Sequence, residues 1–236
     1  MSNKLSKSRL PFGTVQGITV GDVVAYSSDY ENLDEAQYPN RTAFRSYYNG
    51  IYMGYKWQCV EFARRWLYIN KGLIFNDVTM AYEIFKLRSI RDVKNGLDLP
   101  LNAFKNGAQR HPEPGSMLIW DEGGEFKRTG HIAIVTEVFE DKIRIAEQNM
   151  DFEKWPNDQN FSRELDAKIG KDGDYWIKCS FSDSTILGWV TQTDDTSFAY
   201  ELPALDSALF SIKSAIAKSI AGVEKAWLNI ANPDEA

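Results

Sequence analysis

The sequence predicts an α+β protein in which N-terminal helices pack on an antiparallel sheet contributed by the second half of the chain. Two observations carry this. Before residue 90 the apolar residues recur at helical spacing, and from Gly115 the hydrophobic period changes to two. A third observation adds an appendage: Leu205, Leu209, Ile212, Ile216, Ile220, Val223, Trp227 and Ile230 follow one another at steps of three and four, the pattern of an amphipathic helix. The expected organisation is therefore a domain over residues 1–200 and a C-terminal amphipathic helix or tail over 201–236.

Taken in order, residues 12–26 read as loops and short strands around Gly13, Gly17 and Gly21. Residues 27–50 are rich in Ser, Asp, Asn and Tyr without a clear period, and their aromatics favour a long ordered loop over disorder. The first helix follows, with Phe62, Ala63, Trp66, Leu67 and Ile69 on its apolar positions and Asn70-Lys71-Gly72 as its stop. A second helix is predicted from an Asn76 or Asp77 cap to about residue 90, with Met80, Ile84, Phe85 and Leu87 on one face. Pro100, Pro112 and Pro114 then mark a loop-rich segment that holds His111. Strands are predicted at 116–120, 131–138, 142–148, 174–179 and 186–191.

Composition narrows the function. The chain has 236 residues, 43% hydrophobic and 25% charged, with a net charge of −6. That acidity argues against nucleic acid or anionic lipid as a partner and suits a cationic one. No apolar run follows the basic N-terminus and no eighteen-residue apolar span occurs, so neither signal peptide nor membrane span is expected, and the expected location is the cytoplasm. Two cysteines, at 59 and 179, make no disulfide framework and no CxxC or Cys/His ligand pattern. No metal or other cofactor is expected.

Cys59 sits where a loop turns into the first helix. There the free N–H groups and the helix dipole favour a thiolate, which lowers a cysteine pKa from about 8.5 to below about 7.5, and the same N–H groups could hold an oxyanion. A small buried apolar residue is the plain alternative for any cysteine. His131 opens a strand directly after Gly130, and Glu147 lies near the end of the next. A three-residue loop, Phe139-Glu140-Asp141, would pair Val138 with Lys142 and Ala133 with Glu147, leaving His131 one diagonal step from Glu147, a distance of about 7–8 Å between Cα atoms. Thiol, imidazole and carboxylate would then serve as nucleophile, base and orienter.

Several of these stretches carry a family resemblance: Lys56-Trp-Gln-Cys-Val-Glu-Phe-Ala-Arg-Arg65, Leu118-Ile-Trp-Asp-Glu-Gly-Gly-Glu-Phe-Lys127, Thr129-Gly-His-Ile-Ala-Ile134, Arg144-Ile-Ala-Glu-Gln-Asn149 and Thr185-Ile-Leu-Gly-Trp189. They resemble the amidase domain of bacterial glutathionylspermidine synthetase/amidases, of the papain-related cysteine, histidine-dependent amidohydrolase/peptidase (CHAP) superfamily, over roughly residues 11–198. The resemblance implies a Cys59, His131, Glu147 triad and hydrolysis of glutathionylspermidine, a small-molecule conjugate, to glutathione and spermidine through a thioester. Gln58, Arg64 and Asn149 fall within the matched motifs and would contact substrate, Arg64 by pairing with a glutathione carboxylate. The relatives carry a ligase domain after the amidase, so a chain ending at Ala236 is not expected to perform synthesis. The helix at 205–230 reads as a docked helix, a self-association element or a linker remnant.

Two competing functions are a peptidoglycan amidase or endopeptidase of the same superfamily and an inactive binding module. The first usually brings a signal sequence or a wall-binding repeat, and the second requires loss of a triad residue. The acidic run Asp121-Glu122-Gly123-Gly124-Glu125, with Asp29 or Glu31, is the expected attractor of a polyamine.

Overall fold

In the computed structural model the described residues are 9–203, so the helix predicted over 205–230 lies outside them. The strands are β1 (Val15–Ile18), β2 (Val24–Tyr26), β3 (Arg45–Tyr48), β4 (Ile51–Tyr55), β5 (Leu73–Ile74), β6 (Ser89–Asp92), β7 (Asp98–Lys105), β8 (Met117–Trp120), β9 (His131–Val138), β10 (Lys142–Ala146), β11 (Arg163–Ile169), β12 (Tyr175–Ile177) and β13 (Ile186–Gln192). The one α-helix among the described residues is α1 (Cys59–Lys71). Nine strands form a single sheet in the order β12-β11-β10-β9-β8-β13-β7-β6-β5, antiparallel at every junction, beside the β1-β2 and β3-β4 hairpins. The class is α+β, with more sheet and less helix than the sequence suggests. No described helix is long and apolar enough to cross a membrane.

α1 forms where its apolar stripe can be buried: Phe62, Ala63, Trp66 and Leu67 are all sequestered, and Gly72 ends the helix in the left-handed region at φ 65°. The second helix does not form. Residues 81–86 make a 3-10 turn whose Glu83 carboxylate takes the N–H groups of Thr79 and Met80, at 3.0 and 3.1 Å, and the chain turns extended at Leu87. The reason is tertiary, because β6 must leave this turn to pair Ser89 with Pro100 of β7. Ile84 and Phe85 are buried nonetheless. β7 itself lies in the segment read as loop; its Pro100 stands just before the ladder to β13, which begins at Leu101.

Residues 27–50 are ordered by capped 3-10 turns and the β3-β4 hairpin. Asp34 caps Ala36 N–H at 3.1 Å and Asn40 caps Thr42 N–H at 3.0 Å, while Phe12, Tyr30, Tyr38 and Phe44 pack as an aromatic cluster.

One core cluster lies on one face of the sheet, where Ala133, Val135, Ile143 and Ile145 meet Leu118, Trp120, Phe126 and Trp189. The predicted parity of β9 and β10 therefore holds, although the predicted hairpin register fails at its tip. Val138 pairs with Ile143 rather than Lys142, and Thr136 forms a bulge, after which Val135 pairs with Ile145 and Ile134 with Ala146. The ladder ends there with β10, one step short of the Ala133–Glu147 pairing expected from sequence but in the same frame. Tyr175 fastens the tip by donating its hydroxyl to Phe139 O at 2.6 Å.

Candidate active site

α1 packs against β9, bringing Cys59 to the first residues of that strand. Gln58 is the N-cap but its side chain makes no cap bond, so the first-turn N–H groups of α1 are free to face the thiol. His131 is aimed by its neighbours. Trp120 is its cross-strand partner, and Phe126 stacks on the imidazole with ring centroids 5.0 Å apart and an interplanar angle of 10°. Gly130 is required just before it, since at φ +61° a Cβ would lie 2.7 Å from Trp120 O.

Cys59, His131 and Glu147 are brought together in one row, 7%, 2% and 2% exposed. His131 Nε2 donates to Glu147 Oε2 at 2.8 Å, and the thiol side of the ring hydrogen-bonds Cys59. Burial disfavours the thiolate, but the imidazolium, followed by the N–H groups of Ile132 and Val60, outweighs burial and holds Cys59 below the ordinary thiol range. Burial likewise opposes the imidazolium, yet the thiolate and Glu147 push His131 up to about 9. Glu147 is held at about 2 against burial by Arg163 and His131. The row can thus store a thiolate–imidazolium pair at neutral pH, the state needed for attack on a carbonyl carbon.

Gln58 and Asn149 also reach this site, as members of a directed hydrogen-bond chain. Ser28 Oγ donates to Asn149 Oδ1 (2.9 Å), Asn149 Nδ2 to Gln58 Oε1 (2.8 Å), Gln58 Nε2 to the Tyr30 hydroxyl (2.7 Å), and that hydroxyl to Lys56 O (2.5 Å). Tyr30, Arg41, Phe44, Tyr55 and Gln58 line an open cavity of about 340 Å³. Arg64 is placed elsewhere. It is 6% exposed, and its guanidinium holds Phe75 O at 2.5 Å and Tyr52 O at 3.0 Å, tying α1 to the chain around it.

Beneath Cys59, Glu61 is fully buried and bonds Arg65 at 2.7 and 3.2 Å, Ser46 at 2.9 Å and Gln148 at 3.1 Å. Gln148 in turn accepts from Tyr26 N–H at 2.8 Å, so the residue after Glu147 is locked to α1 and β2 together. Of the acidic residues expected to attract a polyamine, Asp121 and Glu122 line a cavity of about 750 Å³ with Tyr82, Lys86 and Lys105, and Glu125 is outside its lining. Asp29 is fully buried against Arg9 at 2.6 Å, and Glu31 pairs with the same arginine at 3.2 Å, so both serve to hold the N-terminal segment. His111 bonds Gly173 O at 2.9 Å and packs on Tyr175. Sequence reasoning gave no role to four residues that surround Glu147 and His131: Ser162 and Arg163, which lie outside every stretch that carries the resemblance, and Trp120 and Phe126, which lie inside the Leu118–Lys127 stretch.

Residues 50–149, the span from β4 to just past Glu147, match the CHAP domain family. The chain carries a CHAP domain. Over 233 residues the chain is 46% identical to the bifunctional glutathionylspermidine synthetase/amidase of Escherichia coli (strain K12), covering 99% of this chain and 38% of that protein. The same figures hold for the Shigella flexneri protein of that name. Trypanothione synthetase of Crithidia fasciculata is 36% identical over 186 residues, 78% of this chain and 27% of the relative. The chain thus spans well under half the length of these relatives, and the CHAP domain with its flanks is the part they share.

Proposed function

We propose that this CHAP domain is a cysteine amidase that hydrolyses the glycyl–spermidine amide of glutathionylspermidine, releasing glutathione and spermidine. The observation that carries the reading is the hydrogen-bonded row of Cys59, His131 and Glu147 at the mouth of α1, in a chain 46% identical to the bifunctional enzyme of that name. The Cys59 thiolate attacks the glycyl carbonyl carbon, and the free N–H groups at the start of α1 receive the oxyanion. His131 then gives its proton to the spermidine nitrogen as the C–N bond breaks, leaving a thioester. Water attacks that thioester with His131 as base, glutathione leaves, and the thiolate is restored. Glu147 holds the ring in register throughout.

Gln58 and Asn149 stand where an acyl chain would meet Cys59, and Asp121 with Glu122 supplies negative charge suited to the ammonium groups of the leaving amine. A thiolate nucleophile and a thiol product suit a reducing compartment, and the cytoplasm is the location that fits this reading. The test is to incubate the purified chain with glutathionylspermidine and, separately, with peptidoglycan fragments, and to identify the amine released. Spermidine release that disappears in Cys59→Ala supports the proposal. Cleavage of the wall fragments alone would assign the site to peptidoglycan, and full activity in Cys59→Ala would remove the nucleophile.

A further inference from the structure

Glu147 is 2% exposed, and a carboxylate that far from water needs every lone pair engaged. His131 takes one. Three of the remaining bonds come from residues 162 and 163: Arg163 Nε donates to Oε1 at 2.5 Å, its terminal nitrogen to Oε2 at 3.0 Å, and Ser162 Oγ to Oε1 at 3.2 Å. The guanidinium thus grips both carboxylate oxygens as a fork. Its own orientation is fixed as well. It lies against the rings of Trp120 (5.8 Å) and Phe181 (5.5 Å), donates to Ser180 Oγ at 2.8 Å, and begins β11 at the position paired with Ile145, two residues before Glu147. Trp120 is the residue that also flanks His131.

We propose that Arg163 is a positioning residue for the Cys59–His131–Glu147 row, acting in two separable ways: its fork orients the carboxylate that orients the imidazole, and its charge balances the buried site so that the thiolate can form. The inference rests on the triad reading above. With Arg163 present, thiolate, imidazolium, carboxylate and guanidinium sum to zero. Without it, the same ionised row carries one uncompensated negative charge away from water, and the cheapest remedy is to keep a proton on the thiol. The other titratable groups that face the row are few among the described residues. The Asp151 carboxylate stands near both Glu147 and Arg163, Cys179 lies near Arg163, and Tyr30 lies near Cys59. None of these is a cation, and the one cation beneath Cys59, Arg65, is held by the buried Glu61 carboxylate, so none replaces Arg163.

The charge role and the fork role give different signatures. Arg163→Met removes both and should move the whole pH profile of kcat/KM upward, the acid limb by about one pH unit or more, because one nearby cation shifts a buried group by that amount. Arg163→Lys keeps the charge and loses the fork, so it should leave the limbs in place and lower kcat more than it changes KM. A purely structural role would lower activity in both without moving either limb.

The decisive measurement needs no substrate: the rate of iodoacetamide alkylation at Cys59 as a function of pH, in a Cys179→Ser background. The midpoint should rise in Arg163→Met and hold in Arg163→Lys. It should also be higher in the Glu147→Gln/Arg163→Met double variant, which leaves no unpaired buried charge, than in Glu147→Gln alone; equal midpoints in that pair overturn the inference even if the single methionine variant fails to fold. His131→Ala separates the two claims. A midpoint unmoved by His131→Ala ends the triad reading, whereas a midpoint raised by His131→Ala but untouched by Arg163→Met ends only the role given to Arg163.

Discussion

Glu147 Oε2 accepts from His131 Nε2 at 2.8 Å, which leaves Nδ1 as the ring nitrogen available to Cys59. The carboxylate therefore decides which nitrogen carries the permanent proton and which one works. Glu147→Gln keeps the shape but can present its N–H₂ to the ring and stabilise the wrong tautomer. The expected result is a fall in kcat of about 10²-fold, within the range of a lost acid–base contribution, with KM little changed. Steady-state kinetics on glutathionylspermidine would show it, and an unchanged kcat would mean the carboxylate only fills space.

The same pair links stability to pH in two opposite directions. Glu147 titrates at about 2 in the fold against an ordinary 4.5, so its contribution is complete above about 4.5 and is lost as the pH falls toward 2. His131 titrates at about 9 against an ordinary 6.5, so its contribution is complete below about 6.5 and is lost as the pH rises through 9. Urea midpoints measured across pH should form a plateau near neutrality with both shoulders. Glu147→Gln should flatten the acid shoulder, and an unaltered acid shoulder in that variant would assign it to other carboxylates.

The buried pair of Glu61 and Arg65 should behave asymmetrically. Glu61→Gln leaves the guanidinium of Arg65 without its carboxylate, and breaking a buried pair in this way costs about 3–5 kcal/mol. Replacing both residues with methionine should cost less than the single change, since no charge is stranded. Chemical denaturation of the two variants decides the matter, and a single-variant loss below about 1 kcal/mol would put the pair in the class of exposed ion pairs.

The cavity that Asp121 and Glu122 line together with Lys86 and Lys105 makes a prediction about selectivity. Neutralising Asp121, Glu122 and Glu125 together should raise KM for glutathionylspermidine several-fold, more at low salt, while hydrolysis of an uncharged glutathione amide hardly changes. Because Glu125 stands outside the cavity lining, Glu125→Gln alone should do little. Equal losses on charged and uncharged substrates would show a steric effect.

What could be read in the sequence was what depends on local pattern. The start of α1 at Cys59, the bounds of β9 and the facing of Ala133, Val135, Ile143 and Ile145 all follow from spacing that a helix or strand imposes on its own residues. What escaped depends on partners far along the chain. Residues 81–86 carry a helical apolar pattern but turn extended at Leu87 because β7 waits for Ser89. β7 hid behind Pro100, and β11 behind the charges of Arg163, Glu164, Asp166 and Lys168. Arg163 escaped for the same reason: only the pairing of Ile145 with Arg163 sets it beside Glu147. Arg64 is the converse case, a cation inside a recognisable motif whose partners are two backbone carbonyls.

The bulge at Thr136 divides the β9–β10 hairpin into two counting frames. On the tip side Val138 faces Ile143, and on the site side Val135 faces Ile145, so the frame that aligns His131 with Glu147 does not inherit the frame of the turn. Thr136 is the surplus residue, held by its hydroxyl donating to Arg144 O at 3.0 Å. An ordinary hairpin transmits a one-residue change at its turn along the whole ladder and turns every later side chain to the other face. Here the slack sits between turn and site, and the tip can change length by one residue with the bulge absorbing it, while the imidazole and carboxylate keep their places.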